Sequence, residues 1–384
     1  MKILVLIHEF PPVGGGGGRV AQEISRGIVK RGHEVTILTA SFKDLPKEEL
    51  VDGIRVLRIS SFRREAFRAD LLAMEGYVLS GLWAGYRFIK RWQPDLIHVH
   101  FAVPAGALAW SLSKVTGVPY VMTVHLGDVP GGAPEKTGGW FKWVLPFTHP
   151  IWRAAKQVIA VSEYTRQLAL KHYKREIDVI PNGVDLALLR PASIQVQEPP
   201  RIVFAGRLME QKNPLQIVRT LAELKGLPWQ CVLIGDGPLM PEVRRAIAEH
   251  KLEHRFSLTG WVSPEQVLDW FDQSDILFTP SFSEGMPVVG VQALAKGLAI
   301  VASKIGGFTG IVDDEENGYL VDLASPSEFS VAIRKLISDN ALLQRFRDAS
   351  LKKASRFDSL QIEERYEQMF LQVSASDRAV ALTR

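Results

Sequence analysis

The sequence predicts an α/β protein built as two Rossmann-like, doubly wound domains, and three observations carry that prediction. The chain has 384 residues, more than one hydrophobic core usually organises. Short apolar runs alternate along it with segments of about ten to fifteen residues that have helical period. Residues 187–200 have neither period and end in two prolines, as a linker would.

The expected strands of the first domain, residues 1–186, are "KILVLI", "EVTILT", "IRVLRI", "DLIHVH", "PYVMTV", "QVIAVS" and "IDVIP". In the second domain, residues 201–357, they are "RIVFAG", "QCVLIG", "RFSLTG", "DILFTP" and "AIVAS". Such runs do not alternate strictly, which indicates parallel strands covered by helices on both faces. A first helix is expected from about Arg19 to Arg31. The apolar segment 71–89 contains Glu75, three glycines and Arg87. It falls short of the roughly 20 uninterrupted apolar residues of a membrane span and is read as a packed helix. Residues 358–384 read as an amphipathic helix capped by Asp358 or Ser359, expected to pack back on the first domain.

Composition, at 46% apolar and 23% charged, is that of a globular protein, and the first residues lack a secretory cleavage pattern. Cys231 stands alone, which points to a reducing compartment and the cytoplasm. The net charge of +4 is uneven: residues 1–190 hold 25 Lys and Arg against 17 Asp and Glu, and the rest hold 21 against 25. A basic half suits an anionic substrate, nucleic acid or an anionic membrane surface. Nucleic acid ranks last, and no nucleic-acid partner is expected. The stretch 138–152, with Trp140, Phe141, Trp143 and Phe147 near Lys136 and Lys142, fits either a helix packed beside a site or peripheral membrane contact.

In open parallel sheets ligands bind beyond the carboxyl ends of the strands, so the residues there are the candidates, and a cleft between two such domains is the expected site. After the first strand comes the run Gly14, Gly15, Gly16, Gly17, Gly18, then Arg19. It lacks the Lys-Ser/Thr of a P-loop and the sixth-place glycine of a dinucleotide turn, but glycines before a helix can admit an anion to bare backbone. After "RIVFA", Gly206 precedes Arg207 and Lys212, a cation pair able to clasp a diphosphate. Turns at Gly235 and at "LTGWV", with Val262, could read a base through backbone groups. In "TPSFSEGMPVV", Glu284 precedes Gly285, Met286, Pro287 and Val288 at a helix start, with Gln292 about one turn on. Free helix N–H groups would meet the anion, and Glu284 would accept hydroxyl hydrogen bonds. His98, His100 and His125 lie at strand ends, yet no metal site is expected.

At these residues the chain resembles the retaining glycosyltransferases of the GT-B fold, in particular their large fourth sequence family. The likeness runs through "EFPPVGGGGGRVAQEISRGIVKRGHEVTILT", "TVHLGD", "VIAVSEYTR", "VIPNGVD", "FAGRLMEQKN", "LIGDGP", "LTGWVSPEQVLDWFDQSDILFTPSFSEGMP" and "NGYLVD" in the family's order. It implies a UDP-, GDP- or ADP-sugar donor on the second domain, a glycan or lipid-linked acceptor on the first, and no required cofactor. It assigns His125, Arg207, Lys212 and Glu284 to the reacting centre. Gly15, Gly16, Gly17, Gly206, Gly235, Val262, Gly285, Met286, Pro287, Val288 and Gln292 fall to donor binding, and Arg19 and Asp128 to the acceptor. One departure stands out: Gln292 occupies the place of the second motif glutamate, which in the family binds ribose, and loses charge assistance there. Two rival readings follow, a nucleotide-sugar 2-epimerase of the same fold and a weakly active nucleotide-sugar-binding partner. Cell-surface polysaccharide or glycolipid synthesis, on the cytoplasmic side and peripheral to the membrane, is the setting the resemblance implies.

Overall fold

The computed structural model describes residues 1–65, 69–132 and 141–382. It divides into two compact units, Met1–Asn182 with Ser359–Arg384, and Gly183–Asp358. Unit 1 carries strands β1 (Lys2–Leu6), β2 (Glu34–Ala40), β3 (Glu48–Val51), β4 (Ile54–Ile59), β5 (Leu96–His100), β6 (Tyr120–Val124), β7 (Gln157–Ala160) and β8 (Asp178–Val179), in spatial order 3-4-2-1-5-6-7-8. Every pairing is parallel except β3 with β4. The short β3, "EELV", lay outside the expected strands because two of its four residues are glutamates and it forms a half-solvated edge.

Helices α1 (Gly16–Lys30), α2 (Leu71–Trp92), α3 (Ala107–Thr116), α4 (Phe141–Ala154) and α5 (Glu163–Leu170) cross between these strands. The connections from β4 to β8 all step in one direction across the sheet, so right-handed crossovers set α2 to α5 on one face; α1 steps the other way and covers the opposite face. Contrary to the expected start near Arg19, α1 begins at Gly16. Glycine is a poor helix former, but packing overrides propensity here. A Cβ on Gly17 would lie 2.4 Å from Phe101 Cζ, and one on Gly18 2.8 Å from the Glu9 carbonyl oxygen, so the first turn fits only without side chains.

Unit 2 carries β9 (Arg201–Ala205), β10 (Gln230–Ile234), β11 (Phe256–Gly260), β12 (Ile276–Thr279), β13 (Ala299–Ser303) and β14 (Gly318–Val321), all parallel, in order 11-10-9-12-13-14. Its helices are α6 (Pro214–Ala222), α7 (Met240–Glu249), α8 (Pro264–Asp272), α9 (Val288–Ala295), α10 (Gly306–Thr309), α11 (Glu328–Ser338) and α12 (Asn340–Ala354). Residues 187–200, expected as a linker, fall within unit 2: Ala192 N–H donates to Asp272 and Gln197 N–H to Asp275. Asp275 is fully buried, pairs with Arg347 and also accepts the Arg201 N–H at 2.7 Å, while Arg347 Nε donates to the Gly297 carbonyl at 2.8 Å. This closed network satisfies a charge pair that would otherwise be costly to bury.

The last helix, α13 (Ser359–Leu382), belongs to unit 1 and packs along α1. Gly27 allows the approach, since a Cβ there would lie 2.0 Å from Glu363 Cδ. Arg31 and His33 both bond Glu367, at 3.0 and 2.8 Å. In each sheet the strand order reverses beside one central strand, β1 in unit 1 and β9 in unit 2. Ligand sites of doubly wound sheets form at that switch point, and it lies beside the glycine run in one unit and the Arg207–Lys212 loop in the other.

Candidate active site

In unit 2 the turns after β9, β10 and β11 press backbone against backbone. Gly206 N–H donates to Ile234 O, and Gly235 N–H to Gly260 O, both at 2.9 Å. Gly235, at φ +123°, has no room for a side chain: its Cβ would sit 2.1 Å from Gly206 O. Gly237 is equally tight, with a Cβ position 2.3 Å from Leu208 O. Beyond this clamp Arg207 is half-buried. Lys212 closes a 3₁₀ turn, and its Nζ donates to Glu284 Oε1 at 2.5 Å, with the two side chains only 18% and 8% exposed. The ammonium and carboxylate expected to act on one ligand are thus brought together by different loops.

Gln211 holds those loops in register. It is buried, donates through Nε2 to Ser283 O at 2.8 Å, and accepts the Phe282 N–H on its own carbonyl at 2.8 Å. Glu284 is fixed from behind by Gly307, where a Cβ would lie 2.4 Å from the Glu284 carbonyl. Gly285 and Met286 then lead to Pro287, the N-cap of α9, which offers no side-chain hydrogen bond to the first N–H groups. Val288 opens that helix, and Gln292 lies half-buried within it; Val262 is half-buried after β11. A cavity of about 260 Å³ adjoins, lined by Glu210, Asn213, Pro214, Leu215, Leu239 and Phe282. An uncapped helix start a few residues from a carboxylate that holds an ammonium is suited to an anion.

In unit 1 four histidines gather at the strand ends. His98 and His100 are buried with ring centroids 4.4 Å apart, and His100 Nδ1 stands 3.4 Å from His125 Nε2. Thr123 Oγ1 links His98 Nε2, at 2.9 Å, to the Tyr366 hydroxyl of α13, at 3.2 Å. The His8 ring meets Phe101 edge-on at 5.2 Å. Burial lowers His8 and His98 to about 3, His125 to about 4, and His100 well below its ordinary value. All four are neutral imidazoles near pH 7, and among the described residues no His, Cys, Asp and Glu group has metal-binding geometry.

Asp128 is buried, with Oδ2 accepting the His125 N–H at 2.8 Å and Oδ1 the Ala102 N–H at 2.7 Å. Desolvation raises its carboxyl to about 7, with backbone hydrogen bonds drawing it back. Its contact is therefore to the backbone that carries His125. Arg19 is exposed on the first turn of α1. The five glycines separate into two kinds. Gly14, at φ +93°, Gly17 and Gly18 would each clash with unit 1 itself, while Gly15 and Gly16 have open space where a Cβ would go.

Of the aromatic stretch, Trp140 and Lys136 lie outside the described residues; Phe141 is buried, and Trp143 and Phe147 are exposed. The sequence reading missed Gln211, Gly237 and Gly307. Gly237 stood within the quoted "LIGDGP" and could have been found; the other two act only through contacts distant in sequence.

The profile described as Glycosyltransferase Family 4 matches residues 14–188, and the one described as Glycosyl transferases group 1 matches residues 188–353. A 2-deoxystreptamine glucosyltransferase of Streptomyces kanamyceticus is 26% identical over 83% of this chain and 88% of its own. Among solved structures, sucrose-phosphate synthase from Thermosynechococcus elongatus is similar with a TM-score of 0.85 and 20% identity, over 98% of this chain and 99% of its own. Anabaena HepE in complex with UDP and glucose is similar with a TM-score of 0.78 and 20% identity, over 97% and 100%. At such identity these structures speak to fold.

Proposed function

For a chain that belongs to the group 1 glycosyl transferases of the GT-B fold, we propose transfer of a hexose-type sugar, with retention at the anomeric carbon, from a nucleoside-diphosphate sugar to a glycan or lipid-linked acceptor of cell-surface polysaccharide or glycolipid synthesis. The observation that carries this reading is the largely buried Lys212–Glu284 pair beside the uncapped start of α9. A diphosphate arriving there would draw the Lys212 ammonium and the Arg207 guanidinium, and free Glu284 to accept sugar hydroxyls. The bond from the anomeric carbon to the phosphate oxygen breaks, the bond to the acceptor oxygen forms on the same face, and the acceptor proton passes to the departing phosphate oxygen. Negative charge grows on the diphosphate, where Arg207, Lys212 and the α9 N–H groups stabilise it. His125, uncharged, would hydrogen-bond the sugar without competing for the phosphate.

The glucosyl relative and the UDP- and glucose-bound neighbour support a nucleotide-sugar donor. Thermal shifts with UDP-, GDP- and ADP-sugars test the reading, since a bound donor stabilises by about 2.7 kcal/mol at a hundredfold excess over its dissociation constant. One nucleotide class is expected to raise the melting temperature, and an acceptor panel with the anomer read by NMR completes the test. No shift with any nucleotide-sugar overturns the reading, and an inverted product overturns retention. Binding without transfer to any acceptor would instead favour the weakly active partner suggested by Gln292.

A further inference from the structure

The outer side of α2 plays no part in the chemistry above. The inner face, with Ala73, Tyr77, Gly81, Gly85 and Ile89, is buried, while Leu72, Leu79, Trp83 and Tyr86 are exposed, Trp83 by 67%. At 3.6 residues per turn those four positions fall on one stripe. Exposed Phe62 extends it, lying over Gly76 so closely that a Cβ there would meet the ring at 2.6 Å. The last turns of α2 add cations: the Arg87 guanidinium lies 4.6 Å above the Trp83 ring, the Lys90 ammonium 5.7 Å above Tyr86, and Arg91 is exposed beside them. Glu75 is the acidic residue on the flank of the stripe. On the same face of the sheet, α4 packs against α3, which packs against α2, and α4 exposes Trp143 and Phe147.

We propose that this face docks on an anionic lipid bilayer, with α2 lying in the headgroup plane. Large apolar side chains exposed together along one helix face mark an interaction surface, where single exposed ones need no explanation. Aromatic rings that carry cations present an apolar body to the acyl boundary and a positive head to phosphate, the composition of an interfacial helix. A second copy in parallel register would set its Arg87, Lys90 and Arg91 against these, whereas anionic lipid neutralises them. The basic excess of residues 1–190 acts in the same direction. No helix among the described residues is long and apolar enough to cross a membrane, so the contact is one of lying on the surface.

The test is flotation of the full chain with vesicles of phosphatidylglycerol and phosphatidylcholine and with phosphatidylcholine alone. Binding is expected on the anionic vesicles, weaker on the neutral ones and reduced by salt. Leu79→Ser/Trp83→Ser should lower the partition constant roughly tenfold or more, and Arg87→Gln/Lys90→Gln should lower it on anionic vesicles only. Both pairs are exposed, so unchanged melting temperatures and an unchanged donor-induced thermal shift are expected. The transfer reading therefore stands or falls separately. Absence of flotation on anionic vesicles, or equal binding by Leu79→Ser/Trp83→Ser, overturns the proposal. So does a dimer in light scattering that this variant splits, because the stripe would then belong to a second copy.

Discussion

Unit 1 brings four imidazoles to the ends of its strands and strips them of charge, whereas unit 2, on the same sheet plan, brings an ammonium and a carboxylate into an ion pair 2.5 Å apart. In unit 1 the rings pack against one another and against Phe101, with Thr123, Tyr366 and backbone as polar partners. In unit 2 the polar groups cross-link loops, as Gln211 and Lys212 do, or tie helix to strand, as Arg347 does. A shared topology therefore says where a site lies, and the burial of its side chains says what kind of chemistry it holds. A neutral, shaped surface suits orientation; a surface of opposed charges suits a ligand whose own charge changes.

The largest expected difference between the units is in acid. The unfolded histidines take up protons below their ordinary 6.5, while folded His8, His98 and His125 resist until about 3 to about 4. Stability present above pH 6.5 is thus lost as pH falls through those values, by at most about 1.4 kcal/mol per pH unit for each histidine. Asp128 has the opposite sign: its raised value favours the folded state below the carboxylate's ordinary 3.8 and loses that contribution as pH rises toward 7. Both histidines of unit 2, His250 and His254, are exposed. Hydrogen exchange read separately on the two units between pH 7 and pH 4 should show unit 1 opening first, and parallel loss would erase the distinction.

Next in size is Asp275→Ala, which strands the buried Arg347 guanidinium and should cost about 3–5 kcal/mol in urea unfolding. A cost near zero would mean that unit 2 does not depend on its buried charge. Lys212→Ala should slow transfer by about 10²–10³-fold, as loss of one charge-stabilising donor does. It also strands Glu284, so Lys212→Ala/Glu284→Gln should recover stability and leave the rate low; recovery of rate would remove Lys212 from the chemistry. Smallest is the contrast within the glycine run. Gly17→Val meets Phe101 and should destabilise by about 1–3 kcal/mol, whereas Gly16→Val has open space and should fold normally. Loss of transfer in that folded variant, measured alongside intact donor binding, would mark Gly16 as a point of ligand approach.

Much of this was legible in the chain. Buried parallel strands announce themselves as short apolar runs, and their ends direct attention to Arg207, Lys212 and Glu284. What stayed hidden depended on contact or on burial. The half-solvated β3 offers no apolar run. The neutrality of His98 and His100 follows from desolvation that no spacing reveals. The run of five glycines resists division until neighbours are known, because Phe101 and the Glu9 carbonyl explain two of them. Segment 71–89 carries large apolar side chains on every side of the helix, and only its packing separates the face turned inward from the stripe left outside.

The placement of α13 bears on how the protein is made. Unit 1 consists of the first 182 residues and the last 26, and everything between them, Gly183–Asp358, is unit 2. On the ribosome the first unit emerges early but lacks the helix that covers α1 and supplies Tyr366 to Thr123. At about 5–20 residues per second its completion waits for the whole of unit 2 to be translated, on the order of ten seconds or more. During that interval the α1 surface beside Gly27 lacks the helix that covers it. A premature stop before Glu363 would remove the residues that meet Gly27, Arg31, His33 and Thr123, and would leave unit 1 open however well unit 2 has folded.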